Sequence, residues 1–295
     1  MSDPRQPLAA KVPEIALIFW VIKLITTGIG EAASDFMGQH SVPIAGIVGL
    51  GGFIIALRLQ LRAREYRAPV YWSAVMMVAV FGTMVADGLK DGAGLSYSVT
   101  TPFFAVVVAV VFWAWYRSEG TLSIHSITTR KREMYYWGAV LATVALGTAA
   151  GDLTAIQLGW GFFESAALFA VIMAIPAIAW WQFNLSPIVA FWACYVVTRP
   201  LGASFADGFS KPTQGGLGWG DGIVTLIGLV AFAMLVTYVA ITKHDIQNPE
   251  TGEAFEPSHV HAHHHHLHHD HGGDAPAAGL RDPDSGVLQP GPADG

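Results

Sequence analysis

Four aspartates each lie inside a long apolar stretch of the sequence, where carboxylates are rare. They are Asp35, Asp87, Asp152 and Asp207. An acid inside a membrane is costly unless it is paired, hydrated or protonated, and such residues commonly mark ion or proton pathways. Carboxylate oxygens are also ligands for hard divalent cations. We therefore predict an ion site built from the four aspartates and supported by Glu31, one helical turn before Asp35.

The aspartates belong to a motif that occurs four times. It begins with an aromatic–Trp pair, a glycine follows ten residues after the Trp, and the aspartate follows five residues later. The tryptophans are Trp20, Trp72, Trp137 and Trp192, and the glycines are Gly30, Gly82, Gly147 and Gly202. A spacing that recurs without a gap indicates tandem structural repeats.

Composition indicates the elements that must hold this motif. Of the 295 residues, 53% are hydrophobic and 13% charged, with a mean hydropathy of +0.44, whereas soluble domains carry about 25% charged residues. A membrane-spanning helix needs roughly 20 mostly apolar residues. Eight segments qualify: 14–36, 42–62, 70–91, 99–117, 135–155, 163–182, 188–208 and 221–242. We predict an all-α polytopic membrane protein.

The spans group into four two-helix repeats. We place them at 14–66, 67–132, 133–186 and 187–243, between an N-terminal segment 1–13 and a polar tail 244–295. Because each repeat has an even number of spans, all four cross the membrane in the same orientation. Fourfold or paired twofold packing about the membrane normal would then bring equivalent residues to one depth. Repeat 1 lacks the outer loop of the other three and is the divergent copy.

The pattern resembles an uncharacterised family of bacterial membrane proteins that have four tandem two-span repeats, each with a characteristic Trp. The resemblance covers about residues 14–242, and it implies the architecture but no settled activity. The Lys and Arg residues of the short loops concentrate at 58–67 and 117–132, which predicts cytoplasmic N- and C-termini. We expect a location in the bacterial inner (plasma) membrane.

Each motif position also has a purely structural interpretation. The tryptophans are typical of anchors at the membrane surface, with substrate stacking as the alternative. The glycines favour close helix packing, with a broken helix as the alternative. The aspartates could be interfacial helix ends, with Asp87 neutralised by Lys90 and Asp207 by Lys211. Asp35 and Asp152 have no such lysine nearby in sequence.

Other charged residues lie in or beside the spans. Lys23 and Arg199 are candidates either for buried ion pairs or for a role in coupling. Glu164 and Asp221 begin spans 6 and 8, where an acid favours the positive end of a helix dipole.

The polar tail contains a tract rich in histidine, a residue that commonly binds transition metals. Its histidines are His259, His261, His263, His264, His265, His266, His268, His269 and His271. Metal capture and incidental low complexity remain alternatives for this tract. Imidazoles suit softer metals than carboxylates do, so the histidine tract and the aspartate site are expected to favour different metal ions.

These features favour a membrane transporter, with proton-coupled transport or export of a divalent metal cation as the first hypothesis. The alternatives are a proton-coupled carrier or channel for a small organic solute, and a membrane metal sensor or scaffold that transports nothing. No nucleotide-binding, HExxH or CxxC motif occurs, so we do not expect an enzyme or a catalytic cofactor. The expected partners are the lipid bilayer and a metal ion or solute, not a nucleic acid.

Overall fold

The computed structural model describes residues 11–245. All regular secondary structure in this part of the chain is helical. Its long helices are α1 (Leu17–His40), α2 (Val42–Arg62), α3 (Ala68–Asp87), α4 (Tyr97–Glu119), α5 (Arg130–Asp152), α6 (Phe162–Phe183), α7 (Pro187–Ser210) and α8 (Asp221–Thr242). All eight are long and apolar enough to cross a membrane. The fold class is therefore confirmed. The histidine tract predicted to bind metal lies outside the described residues.

The odd-numbered helices form an inner ring. Helix α1 packs against α3 and α7, and α5 packs against the same two neighbours. The even-numbered helices lie outside this ring, where α2, α4, α6 and α8 pack on α3, α5, α7 and α1, respectively. More than half of each inner span is buried, against less than a quarter of each outer span. This arrangement is the pseudo-fourfold packing expected for repeats of like orientation.

The repeat glycines allow the inner helices to approach closely. Each glycine packs against the next inner helix, at the residue three positions before that helix's own repeat glycine. The glycine of repeat 4 packs in the same way against repeat 1, which closes the ring. A Cβ atom would lie 2.6 Å from Ala79 Cβ at Gly30, 2.5 Å from Val144 Cγ1 at Gly82, 2.5 Å from Arg199 Cβ at Gly147 and 2.9 Å from Thr27 Cβ at Gly202. All four glycines lie within continuous helices, so close packing, not helix breakage, explains them.

The aromatic–Trp pairs form a second ring, which we call the aromatic layer. The aromatic residue of each repeat contacts the Trp of the next. The ring centroids are 5.4 Å apart for Phe19–Trp72, 5.8 Å for Tyr71–Trp137, 6.1 Å for Tyr136–Trp192 and 5.7 Å for Phe191–Trp20. Trp72, Trp137 and Trp192 are buried. For these three, the prediction of surface anchors is wrong, because their rings pack against neighbouring repeats inside the bundle.

The inner helices differ after their aspartates. Helices α3 and α5 end at Asp87 and Asp152, and each continues into one π-helical turn, Gly88–Gly92 and Leu153–Gln157. Helix α1 remains α-helical past its aspartate, and only Ser41 separates it from α2. That short connection agrees with the loop expected to be missing from repeat 1. Turns of π-helix recur at functional sites in proteins, and here each one directly follows an aspartate whose own backbone is α-helical.

Candidate ion-binding cavity

A cavity of about 660 Å³ lies at the end of the inner ring opposite the aromatic layer, and all four repeat aspartates line it. Each aspartate follows its Trp by 15 residues, which is about 22 Å along a helix. Glu31 also lines the cavity. The repeat symmetry therefore brings together the acids that the sequence singled out.

Three of these acids come close enough to share one ion. Glu31 and Asp35 from α1 and Asp207 from α7 each present a carboxylate oxygen, and these oxygens all lie within 4.8 Å of one another. We call these residues the carboxylate triad. Asp207 is buried, and its Oδ1 has no hydrogen-bond partner among the described residues. Asp87 and Asp152 line the same cavity but are not members of the triad.

Arg199 ties the inner ring together beside the triad. Its buried guanidinium donates to Glu31 Oε2 at 2.5 Å, to the Thr27 carbonyl at 2.5 Å and to Thr148 Oγ1 at 2.8 Å, and it also donates to the Thr83 hydroxyl. Glu31, Thr83 and Thr148 each follow their repeat glycine directly. One cation of repeat 4 therefore binds the same motif position in the other three repeats, and the ion pair considered for Arg199 is confirmed.

Lys23 lies apart from the acids. It is buried, and its Nζ sits 4.2 Å from the centroid of the Tyr195 ring. Within residues 11–245, no carboxylate oxygen lies within 4 Å of this nitrogen. Its contact is therefore a cation–π interaction and not the buried ion pair considered from the sequence.

Lys211 follows α7 directly and links two acids from different repeats. Its Nζ pairs with Asp35 Oδ2 and lies 3.1 Å from Asp221 Oδ2, which also accepts a hydrogen bond from Gln39 at 2.6 Å. Burial alone lowers the pKa of Lys211, but the charges of Asp35 and Asp207 outweigh it and hold this pKa above its ordinary value. The ammonium therefore remains charged at neutral pH.

These contacts correct the neutralisation inferred from sequence spacing. Lys90 pairs with Asp91 at 2.6 Å and not with Asp87. Lys211 forms its direct ion pairs with Asp35 and Asp221, and it interacts with Asp207 only through charge. No lysine follows Asp35 closely in sequence, but closure of the ring brings Lys211 of repeat 4 beside this acid of repeat 1. Asp221 begins α8 as expected, and its ion pair with Lys211 adds a role that spacing did not indicate.

The inner ring is filled at the other end. Beyond the aromatic layer, Lys11 and Glu133 form a buried ion pair of 2.9 Å that sequence analysis missed. The hydroxyls of Tyr71 and Tyr136 lie 2.5 Å apart. On the same side of the bundle, Tyr66 donates to Asp245, and burial raises the pKa of this aspartate. The cavity is thus separated from this end by packed side chains.

The family described as Repeat of Unknown Function (DUF347) matches residues 70–121, 135–185 and 190–245, more than half of the chain. The chain belongs to this family. The DUF347 matches correspond to repeats 2, 3 and 4, and they leave out the copy that lacks the outer loop. Comparisons with curated proteins and with solved structures give no match.

Proposed function

We propose that this DUF347 protein is a transporter of the bacterial inner membrane that moves a divalent metal cation in exchange for protons. The observation that carries this proposal is the convergence of four intramembrane aspartates and Glu31 on one cavity. A bundle held together only by apolar packing has no need of five acids at one depth, because each is costly to keep inside a membrane.

The carboxylate triad supplies suitable chemistry. Three carboxylates within 4.8 Å of one another can replace part of the hydration shell of a divalent cation, and oxygen ligands favour Mg²⁺ and Mn²⁺ over softer metals. A carboxyl group that releases the ion can take up a proton, which restores local charge balance. Exchange of an ion for protons at the same oxygens is therefore a simple way to couple the two fluxes.

The closed end of the bundle gives the cavity a direction. Loop lysines and arginines favour a cytoplasmic location for both chain termini, and the termini side carries the aromatic layer and the Lys11–Glu133 pair. The cavity then opens toward the opposite side of the membrane. Ions exported from the cytoplasm would be released there, after rearrangement of the aromatic layer had admitted them from the closed side.

The test is Mn²⁺ flux in proteoliposomes under an imposed pH gradient. Asp207→Asn removes a ligand of the triad, and we expect it to lower the initial rate at least about tenfold, which corresponds to about 1.4 kcal/mol. Asp152→Asn removes a charge from the opposite wall, and we expect a smaller loss. Glu65→Gln is the matched control, because Glu65 is an exposed acid at the closed end. Wild-type flux in both aspartate variants would reject the proposal.

The size of the cavity favours a second candidate, a small organic cation. A volume of about 660 Å³ far exceeds that of a single metal ion and falls in the range of small-molecule sites. Tyr97, which also lines the cavity, could contact an organic cation through its ring face. Under this alternative, Mn²⁺ does not drive proton movement in the proteoliposomes, whereas a small quaternary or primary ammonium does.

A further inference from the structure

We propose that Lys211 is a built-in cation, which bridges the carboxylate triad and Asp221 when no ion is bound and pairs with Asp221 alone when a divalent cation enters. The inference rests on the proposed function, because it concerns the same triad of Glu31, Asp35 and Asp207. It adds that the ammonium of Lys211 competes with the divalent cation for the carboxylate oxygens of the triad.

The position of Lys211 fits such an exchange. Its ammonium pairs both with Asp35, a member of the triad, and at 3.1 Å with Asp221, which is outside the triad. Its backbone is held in place, since the Lys211 N–H donates to the Asp207 carbonyl at 2.9 Å and its carbonyl accepts from Gly218 at 3.0 Å. A flexible four-carbon stem can draw the ammonium away from Asp35, toward Asp221, without moving the loop.

The triad and Asp221 each have a carboxylate oxygen that is free to accept a further hydrogen bond or bind an ion. Within the described part of the chain, Oδ1 of Asp207 and Oδ1 of Asp221 are buried and lack a hydrogen-bond partner. A buried carboxylate oxygen left unpaired is costly. An ion bound by the triad would satisfy Asp207, and the displaced ammonium would satisfy Asp221.

Formal charge links the two events. The triad carries three negative charges when ionised, and Arg199 and Lys211 supply two positive ones. Asp221 shares the ammonium and adds a fourth negative charge, so a divalent cation brings the whole set to zero. The cation and the ammonium then repel each other at Asp35, which favours pairing of the ammonium with Asp221 alone. If Lys211 pairs with Asp221 alone, the triad, Arg199 and the ion sum to zero.

The experiment measures Mn²⁺ binding to the full chain in nanodiscs by electron paramagnetic resonance. Asp207→Asn sets the background, which includes Mn²⁺ held by the histidine tract. We expect Lys211→Gln to bind Mn²⁺ about five- to tenfold more tightly than the wild type, because a competing ion pair is removed. Lys211→Arg should resemble the wild type. Lys90→Gln is the matched control and should leave affinity unchanged, since Lys90 pairs with Asp91.

A second variant tests the acceptor and remains informative if Lys211→Gln does not fold. Asp221→Asn should weaken Mn²⁺ binding, because the displaced ammonium loses its partner, and it should have no effect in a Lys211→Gln background. Binding by Lys211→Gln that is no tighter than wild type overturns the inference, as does equal weakening by Asp221→Asn in both backgrounds or no weakening in the wild type. If the wild type binds no Mn²⁺ above the Asp207→Asn background, the proposed function itself fails.

Discussion

Replacing Arg199 with Met tests whether the buried guanidinium holds the inner ring together. The Arg199 side chain is 1% exposed and donates to groups on α1, α3 and α5. Methionine has a similar length but no donor, so Glu31 would lose its ion-pair partner and would have to stay buried as an unpaired carboxylate or take up a proton. We therefore expect a large loss of stability that comes mainly from the acid left behind.

The size of the loss follows from the burial of both partners. Glu31 is 3% exposed, and its Oε2 lies 2.5 Å from the Arg199 guanidinium. Removing one partner of a buried ion pair costs about 3–5 kcal/mol. At about 2–4 °C per kcal/mol for a chain of this size, the apparent Tm should fall by about 10 °C. The variant Arg199→Met with Glu31→Gln removes the stranded charge as well and should recover more than half of this loss.

The assay heats the full-length protein in detergent to a series of temperatures. Size-exclusion chromatography then measures the fraction that remains folded, which gives the apparent Tm. All three variants, Arg199→Met, Glu31→Gln and the double variant, are compared with the wild type. A double variant whose loss equals the sum of the two single losses would show no coupling between the residues. Such additivity, or an Arg199→Met variant as stable as the wild type, would refute the assignment of Arg199 as the central tie of the ring.

Two further predictions concern the repeat packing, and each has a control in the same chain. Gly147→Ala should destabilise the protein by about 1–3 kcal/mol, because the added Cβ would lie 2.5 Å from Arg199 Cβ. Gly138→Ala in the same helix meets no atom within 4 Å and should be neutral or slightly stabilising; equal effects of the two substitutions would contradict the packing. Trp137→Ala should lower the apparent Tm strongly, since a buried Trp→Ala change costs about 3–5 kcal/mol. Trp181→Ala, at a side chain that is 76% exposed, should change the apparent Tm little, and a similar fall in both would argue against a structural aromatic layer.

The sequence predicted the spans well because their length is set by the apolar thickness of a membrane. The segments predicted at 42–62 and 221–242 have the bounds of α2 and α8. The parallel orientation of the repeats also followed directly, since it depends only on an even number of spans. A closed ring of repeats was then the only further assumption needed to predict that the four aspartates converge on one cavity, namely Asp35, Asp87, Asp152 and Asp207.

Contacts between repeats were not accessible from sequence spacing. A helix pattern pairs residues three or four positions apart, and it suggested Lys211 with Asp207. In the folded ring, repeat 4 lies against repeat 1, and the ammonium meets Asp35 across 176 positions of sequence. The same limitation explains the tryptophans. Trp is typical of membrane surfaces, but the partner that buries Trp72 is Phe19 of the preceding repeat.

The cations make the four equivalent aspartates chemically different. Arg199 and Lys211 both belong to repeat 4, and they pair with acids of repeat 1, Glu31 and Asp35, respectively. In the described part of the chain, no lysine or arginine nitrogen lies within 4 Å of the carboxylates of Asp87 and Asp152. Those two acids attract a cation by charge, whereas the triad offers ligands that are already shared with cations of the protein. Under the proposed function, an ion bound at the triad competes with these cations for oxygens. Loss of Asp207 removes one of its ligands, whereas loss of Asp152 removes only a more distant charge and should affect flux less.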